Sequence, residues 1–202
     1  MITINQSLYE SITKHLLESD QPSMYLNPLS NQPEFKIYPF DLLLKLKKTE
    51  QSPVHHPEGN VWNHTLMVVD QAAKYKDRSK NATVFMWAAL LHDIGKPSTT
   101  REKKGKITAY EHDLVGAKLA KEFLSHFTSD DDFIRNVSTL VKFHMQILYV
   151  LKDLPFASIK DMKQESDINE IALLGLCDRL GRTGSNQTEE EKNILHFVSK
   201  CN

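Results

Sequence analysis

The chain has 202 residues, of which 40% are hydrophobic and 25% are charged, and this composition suits one soluble domain, or one domain with an arm, with a sizeable core. Its 25 basic and 26 acidic residues nearly cancel, so no overall field attracts nucleic acid, a membrane surface or a strongly charged partner. The first residues show no signal-peptide pattern, and no stretch approaches the roughly 18 apolar residues of a membrane helix. Cys177 lies in an apolar run, and this position argues against a disulfide framework. We therefore expect a cytoplasmic protein without a membrane segment.

The first forty residues are predicted to be an accessory segment. Leu8, Ile12 and Leu16 recur at helical spacing, whereas residues 20–40 carry four prolines and many polar side chains. We expect an N-terminal helix and a connecting loop over residues 1–40, and a separate domain over residues 41–202.

The rest of the chain predicts a series of helices. A helix is expected over residues 40–48, then a loop rich in Pro, His and Gly through Gly59, and further helices to the end. Alternation of apolar and polar residues is scarce, and residues 106–110 are the best candidate for a short extended segment. The predicted fold class is all-α, a helical bundle with an N-terminal accessory helix and loop.

Several predicted helices carry a histidine or an aspartate on the face that should be apolar. Asn81 is expected to cap a buried helix that ends at His92 and Asp93. His144 and Asp178 fall at helical spacing on apolar faces, where an unpaired ion would be costly. Two more histidines are expected to face inward near the start of their helices, His64 and His112.

These residue types suit metal-assisted hydrolysis, which needs imidazole and carboxylate ligands gathered from separate elements. Any one histidine alone would more often be a hydrogen-bonded core residue, but the set together favours a metal site. The predicted ligands of a first divalent ion are His64, His92, Asp93 and Asp178. If Asp93 bridges to a second ion, the additional ligands are His112 and His144. The number of ions, one or two, and their identity among Mn, Ni, Co, Fe and Mg stay open.

The order of these residues resembles the H…HD…D signature of the HD superfamily of metal-dependent phosphohydrolases, and HDIGKP resembles its HDIGK variant. The segments HHPEGNVWNHTLMVVDQAA, AALLHDIGKP, YEHDLVGAKLA, LVKFHM and CDRLGRTG resemble, in this order, the C-terminal HD domain of bacterial tRNA nucleotidyltransferases. This resemblance covers roughly residues 40–190. It implies a helical bundle and metal-dependent activity on 2',3'-cyclic phosphates, 2'-nucleotides and phosphomonoesters, with core ligands His64, His92, Asp93 and Asp178.

The nucleotidyltransferase motif that tRNA nucleotidyltransferases carry outside their HD domain is missing from the sequence. No Gly-Ser motif with paired metal-binding aspartates is found, so no CCA-adding activity is expected. The acidic run at residues 130–132 is interpreted as a helix N-terminus, with Ser129 in a capping box.

Two cations are candidates for binding a phosphate. Lys96 follows the HD pair and is expected to neutralise a scissile phosphate, although a lysine at a helix C-terminus is the alternative interpretation. Arg182 is preferred to Arg179 for a forked contact with phosphate, with an exposed helix-end cation as the alternative. The basic loop around Gly105 could steer RNA ends, but a solvated turn is the simpler interpretation. His55 and His56 are interpreted as solvated loop residues, with a position at the rim of the site as the alternative.

The predicted function is hydrolysis of a phosphoester on a nucleotide or an RNA terminus, of the 2',3'-cyclic phosphodiesterase or phosphatase type. Asp93 is expected to orient or deprotonate a metal-activated water, and Lys96 and Arg182 to supply positive charge. A nucleoside 5'-monophosphatase is the alternative enzyme, and a non-catalytic nucleotide-binding or RNA-binding module is the alternative of another class. The oligomeric state is left open.

Overall fold

Helices predominate in the computed structural model, which describes residues 4–202, and the predicted all-α fold is confirmed. The α-helices are α1 Ile4–Glu18, α2 Ser23–Leu29, α3 Asp41–Leu44, α4 Val61–Tyr75, α5 Ala82–Leu91, α6 Lys96–Thr99, α7 His112–Ser125, α8 Asp131–Phe143, α9 Gln146–Leu151, α10 Ile159–Glu165, α11 Ile168–Leu180 and α12 Gln187–Cys201. Short 3-10 helices span Pro33–Lys36, Lys45–Lys48 and Lys76–Arg78, and one hairpin pairs β1 Thr100–Lys103 with β2 Lys106–Ala109.

The helix α5 lies at the centre of the core. It is apolar around its whole circumference, so it must be covered on all sides, and α1, α4, α8 and α11 pack against it. Asn81 begins the helix as predicted, because its side chain accepts a hydrogen bond from the backbone N–H of Val84 at 3.1 Å. The position of α5 brings the residues that follow it into the interior.

The N-terminal segment is more ordered than its composition indicates. Helix α1 forms as predicted, and its residue Tyr9 stacks on Trp87 of α5 with ring centroids 4.9 Å apart. The predicted loop over residues 20–40 is wrong in part, since it contains α2 and a 3-10 helix. Pro22 precedes α2 and Pro33 begins the 3-10 helix, and proline is tolerated at such positions because the first turn has free N–H groups anyway. The domain boundary at residue 40 stays a prediction.

The hairpin between α6 and α7 is the one sheet in the described part of the chain. Its strands are antiparallel, with Thr100 opposite Ala109, and the turn is made by Lys104 and Gly105, both at positive φ. The predicted extended segment is found as β2. Its partner β1 was predicted only as a basic loop, because four exposed or half-buried residues with two basic side chains give no alternating pattern.

Helix ends near the site differ slightly from the prediction. The acidic run does begin α8, but Asp130 rather than Ser129 is the capping residue, and it accepts from the N–H of Phe133 at 2.9 Å. The helix predicted over residues 40–48 forms as α3 followed directly by a 3-10 helix. Among residues 4–202, no helix combines the length and the apolar character needed to cross a membrane.

Candidate metal centre

The ends of five helices meet at one point in the interior. His64 lies in the first turn of α4, His112 begins α7, and Asp178 lies in the last turn of α11. His92 and Asp93 follow the end of α5, and His144 follows the end of α8. All of these side chains are buried, although they are polar. The structure therefore brings together the predicted ligands His64, His92, Asp93, His112, His144 and Asp178.

Three of the histidines are oriented by the backbone in the same way. The Nδ1 atoms of His92, His112 and His144 lie 2.8, 2.6 and 2.7 Å from the carbonyl oxygen three residues earlier in the chain. An N–H at Nδ1 donates to this oxygen, and the lone pair at Nε2 then points into the centre. Burial lowers the pKa of His112 to about 3, and burial followed by the charge of His92 lowers the pKa of His144. His112 and His144 are therefore neutral near pH 7, as metal ligands must be.

Asp93 lies between two pairs of histidines. Its Oδ2 is 3.2 Å from Nε2 of His92 and 3.9 Å from Nε2 of His64. Its Oδ1 is 3.4 Å from Nε2 of His112 and 3.7 Å from Nε2 of His144. We call His64, His92 and Asp93 the first group, and Asp93, His112 and His144 the second group. Within each group the candidate ligand atoms lie within 4.8 Å of one another, so each group could hold a metal ion with Asp93 shared between them.

Within the described chain, some nitrogen atoms inside the cluster lack a partner that a bound cation would supply. Nε2 of His92 is buried without a hydrogen-bond partner among residues 4–202. Nε2 of His112 lies 3.2 Å from Nε2 of His144, so two lone pairs face each other when both Nδ1 atoms carry the proton. Opposed lone pairs repel unless a proton or a cation lies between them. Imidazole and carboxylate ligands in this number suit divalent transition metals or Mg²⁺.

Asp178 lies beside the first group rather than within it. Its Oδ1 is 3.0 Å from Nε2 of His64, and its Oδ2 is 2.9 Å from Nη2 of Arg182. Burial alone would raise the pKa of Asp178, but Arg182 and then His64 hold it well below its usual value. Asp178 is therefore ionised and in contact with a predicted ligand, and its own role as a ligand stays a prediction.

A carboxylate that the sequence did not single out supports the first group. Oε1 of Glu58 lies 3.0 Å from Nδ1 of His64 and 2.9 Å from Nδ1 of His56. Burial would raise the pKa of Glu58, but the close contact with His64, a backbone hydrogen bond and the hydrogen bond with His56 outweigh burial and lower the pKa to about 2. A carboxylate on the outer nitrogen of a ligating histidine fixes the ring and its tautomer. The only sequence signal was its place in the loop before His64.

Lys96 also reaches the cluster. Its Nζ is 2.7 Å from Oδ2 of Asp93 and 2.6 Å from Oε1 of Gln51. Lys96 begins α6 instead of ending α5, so its closest charged neighbour is the shared carboxylate. Burial alone would raise the pKa of Asp93, but His92 and Lys96 hold it well below its usual value. Gln51, like Glu58, was missed by the sequence analysis, since a loop amide carries no pattern.

A cavity of about 530 Å³ opens beside the cluster. Asp93, Lys96 and Arg182 line it. Arg179 pairs with Glu190 at 2.9 Å, as Arg182 pairs with Asp178, and the preference for Arg182 stays a prediction. His55 and His56 both line it, which is the rim position considered as the alternative for them. Lys106 of the hairpin lines it as well.

Comparison with known proteins gives two findings. The family described as HD domain matches residues 61–183, which is more than half of the chain. A Multifunctional CCA protein of Actinobacillus pleuropneumoniae is 33% identical over 131 residues, which cover 64% of this chain and 30% of the relative. A protein of the same name from Pseudomonas fluorescens is 29% identical over 188 residues, which cover 89% of this chain and 43% of the relative. Another from Halorhodospira halophila is 44% identical over 75 residues, which cover 37% of this chain and 17% of the relative. The chain thus spans less than half the length of each of these relatives.

Proposed function

This chain belongs to the HD-domain family, and on that premise we propose that it is a metal-dependent phosphohydrolase acting on a phosphoester of a nucleotide or an RNA terminus. The observation that carries the proposal is the position of Asp93, whose two oxygens face two separate pairs of buried histidines. A buried cluster of this kind without a ligand would be a costly way to build a core.

The chain would hold its metal ions with the residues already described. His64, His92 and Asp93, with Asp178, are the proposed ligands of one divalent ion, and Asp93, His112 and His144 those of a second. When bound, such ions activate water and polarise a phosphoryl oxygen.

The protein groups have separate roles in this proposal. Asp93 orients the attacking water. Because its pKa is low, the carboxylate accepts a hydrogen bond from this water near pH 7 but is too weak a base to take its proton. Lys96 and Arg182 line the cavity and would neutralise the phosphate as negative charge develops on its oxygens. The planar guanidinium of Arg182 suits a forked contact with phosphate, while the ammonium of Lys96 acts as a point charge.

The finer proposal is a 2',3'-cyclic phosphodiesterase or phosphatase. It is supported by the sequence resemblance of the segments around HDIGKP and CDRLGRTG to the HD domain of tRNA nucleotidyltransferases. The matched segments cover at most 43% of the relatives compared above, so the activity of a whole relative is not transferred to this chain.

One experiment tests the proposal. The protein is purified without added metal, its metal content is measured, and it is assayed with Mn, Ni, Co and Mg on p-nitrophenyl phosphate, its bis ester, 2',3'-cyclic AMP and nucleoside 5'-monophosphates. Hydrolysis of the cyclic substrate is expected. Hydrolysis of 5'-monophosphates alone would favour the 5'-monophosphatase, and no hydrolysis with any metal would favour a binding module.

A further inference from the structure

We propose that one wall of the cavity binds the nucleobase of the substrate, while the phosphate lies at the histidine cluster. This base wall is built by α9 and the loop after it, and its side chains are Leu148, Tyr149, Leu154 and Phe156. The inference rests on the proposed function for the phosphate end, and it adds the recognition of the rest of the substrate.

The base wall offers aromatic surface that no other part of the described chain covers. Phe156 is 62% exposed and Leu148 is 37% exposed, although both line the cavity. The rings of Tyr149 and Phe156 have centroids 5.6 Å apart and planes tilted by 59°, so neither ring stacks flat on the other. An exposed aromatic face of this kind can stack on the planar ring of any nucleobase.

Hydrogen bonds hold the base wall in place. The buried side chain of Gln146 donates to the carbonyl of Phe156 at 3.1 Å and accepts from the N–H of Ser158 at 2.8 Å. The N–H of Leu154 donates to the carbonyl of Tyr149 at 2.8 Å. These contacts tie the loop to α9. A wall that is already formed loses little freedom when a ligand binds, which favours affinity.

The cavity is lined by both charged and apolar side chains. Helix α9 begins two residues after His144, so the base wall continues directly from the second group. Lys96 and Arg182 line the same cavity, whose volume of about 530 Å³ is within the usual range of roughly 300–1,000 Å³ for small-molecule sites. A phosphoester without an apolar part would have no use for the apolar side chains of the cavity. A nucleotide would use both the charged and the apolar side chains.

Polar groups in the same cavity favour a base over an alkyl chain. The hydroxyl-bearing Thr108 and the ammonium-bearing Lys106 of β2 line the cavity together with Tyr149. Burial, and then the charge of Asp113, raise the pKa of Tyr149 to about 12, so its hydroxyl stays protonated and can donate. The edge of a base carries hydrogen-bonding groups that match such side chains, whereas an alkyl chain leaves them without partners.

The test compares a matched pair of ligands that differ only in the base. Adenosine 2'-thiomonophosphate and methyl riboside 2-thiomonophosphate, both slowly hydrolysed, are titrated calorimetrically into the protein with Mn²⁺. Phe156→Ala should weaken binding of the adenosine compound by roughly 5- to 140-fold, the range for loss of one stacked base, and change binding of the base-free compound less than about twofold. Phe156→Tyr should retain affinity. Leu195→Ala, which removes an apolar side chain that is 71% exposed on α12, is the control and should change neither.

Three results would overturn the base wall. The first is that Phe156→Ala weakens binding of both ligands equally. The second is that the wild type binds the adenosine compound no more tightly than the base-free one. The third is that Phe156→Ala weakens binding of octyl thiophosphate as much as it weakens binding of the adenosine compound. The readout does not require turnover. If no phosphoester is hydrolysed but adenosine binding depends on Phe156, the proposed function fails and the base wall stands; if hydrolysis occurs with unchanged binding, the base wall fails alone.

Discussion

The two groups that share Asp93 differ in the support of one histidine, because His92 is held by a backbone carbonyl like His112 and His144, whereas His64 is not. In the first group, His64 is held by side chains, since Glu58 lies on Nδ1 and Asp178 on Nε2. Burial would lower the pKa of His64, but Asp178 and Glu58 outweigh it and raise the pKa. In the second group, both histidines are held by backbone carbonyls, and burial lowers their pKa values. The carboxylates beside His64 outweigh its burial and raise its pKa, whereas burial outweighs the charge of Asp93 at His112 and His144 and lowers their pKa values.

The largest effect is expected where the two groups meet. Asp93→Asn keeps the shape of the side chain but removes the shared charge, so turnover of a phosphoester should fall at least about 100-fold and bound metal should fall with it. The thermal midpoint should change little. Asp132→Asn, at an exposed site on α8, is the control. A stable, metal-loaded Asp93→Asn protein with near wild-type turnover would refute the shared role of Asp93.

A second change separates the groups. His144→Ala removes a ligand from the second group alone, so bound metal should drop by about one ion per chain and activity by roughly 10- to 100-fold, while the first group keeps its ion. Metal analysis of wild type and variant from parallel preparations measures this. If the His144→Ala protein keeps the metal content and the activity of the wild type, the proposed second ion is refuted and a site with one ion remains.

A smaller effect is expected from the support of the first group. Glu58→Gln leaves every proposed ligand in place but removes the charge behind His64, so metal affinity and activity should fall by about 10-fold, the lower range for such supporting carboxylates. The same change at exposed Glu18 is the control. If the Glu58 variant matches the Glu18 variant, the contact with His64 has no role in metal binding.

The smallest effect concerns stability against pH in the metal-free protein. The pKa of His112 is about 3 in the folded chain and near 6.5 when unfolded, so between these values the unfolded chain binds a proton that the folded chain does not. Stability from this residue is complete above pH 6.5 and declines as the pH falls toward 3. His64 acts in the opposite sense, because its raised pKa gives stability that is lost as the pH rises through the folded value.

Denaturation midpoints in urea at pH 7 and pH 5 measure the contribution of His112. His112→Ala should lose less stability between these two values than the wild type does. Equal losses in the two proteins would show that His112 does not stay neutral in the folded chain.

The sequence by itself determined which helices form around the site and where their polar residues fall. Helical spacing placed His144 and Asp178 on apolar faces, and Asn81 marked the start of the helix that leads to His92. These features are local, since they depend on residues within a turn or two of each other.

Contacts between distant segments were decided by the tertiary structure. His64 meets Asp178 across 114 positions, and no periodicity specifies which side chain from α11 faces which from α4. Glu58 and Phe156 lie in loops, and a loop has no repeating pattern that fixes the direction of a side chain. Their positions follow from packing and from hydrogen bonds to other elements, so the carboxylate behind the first group and the base wall became visible only in the folded chain.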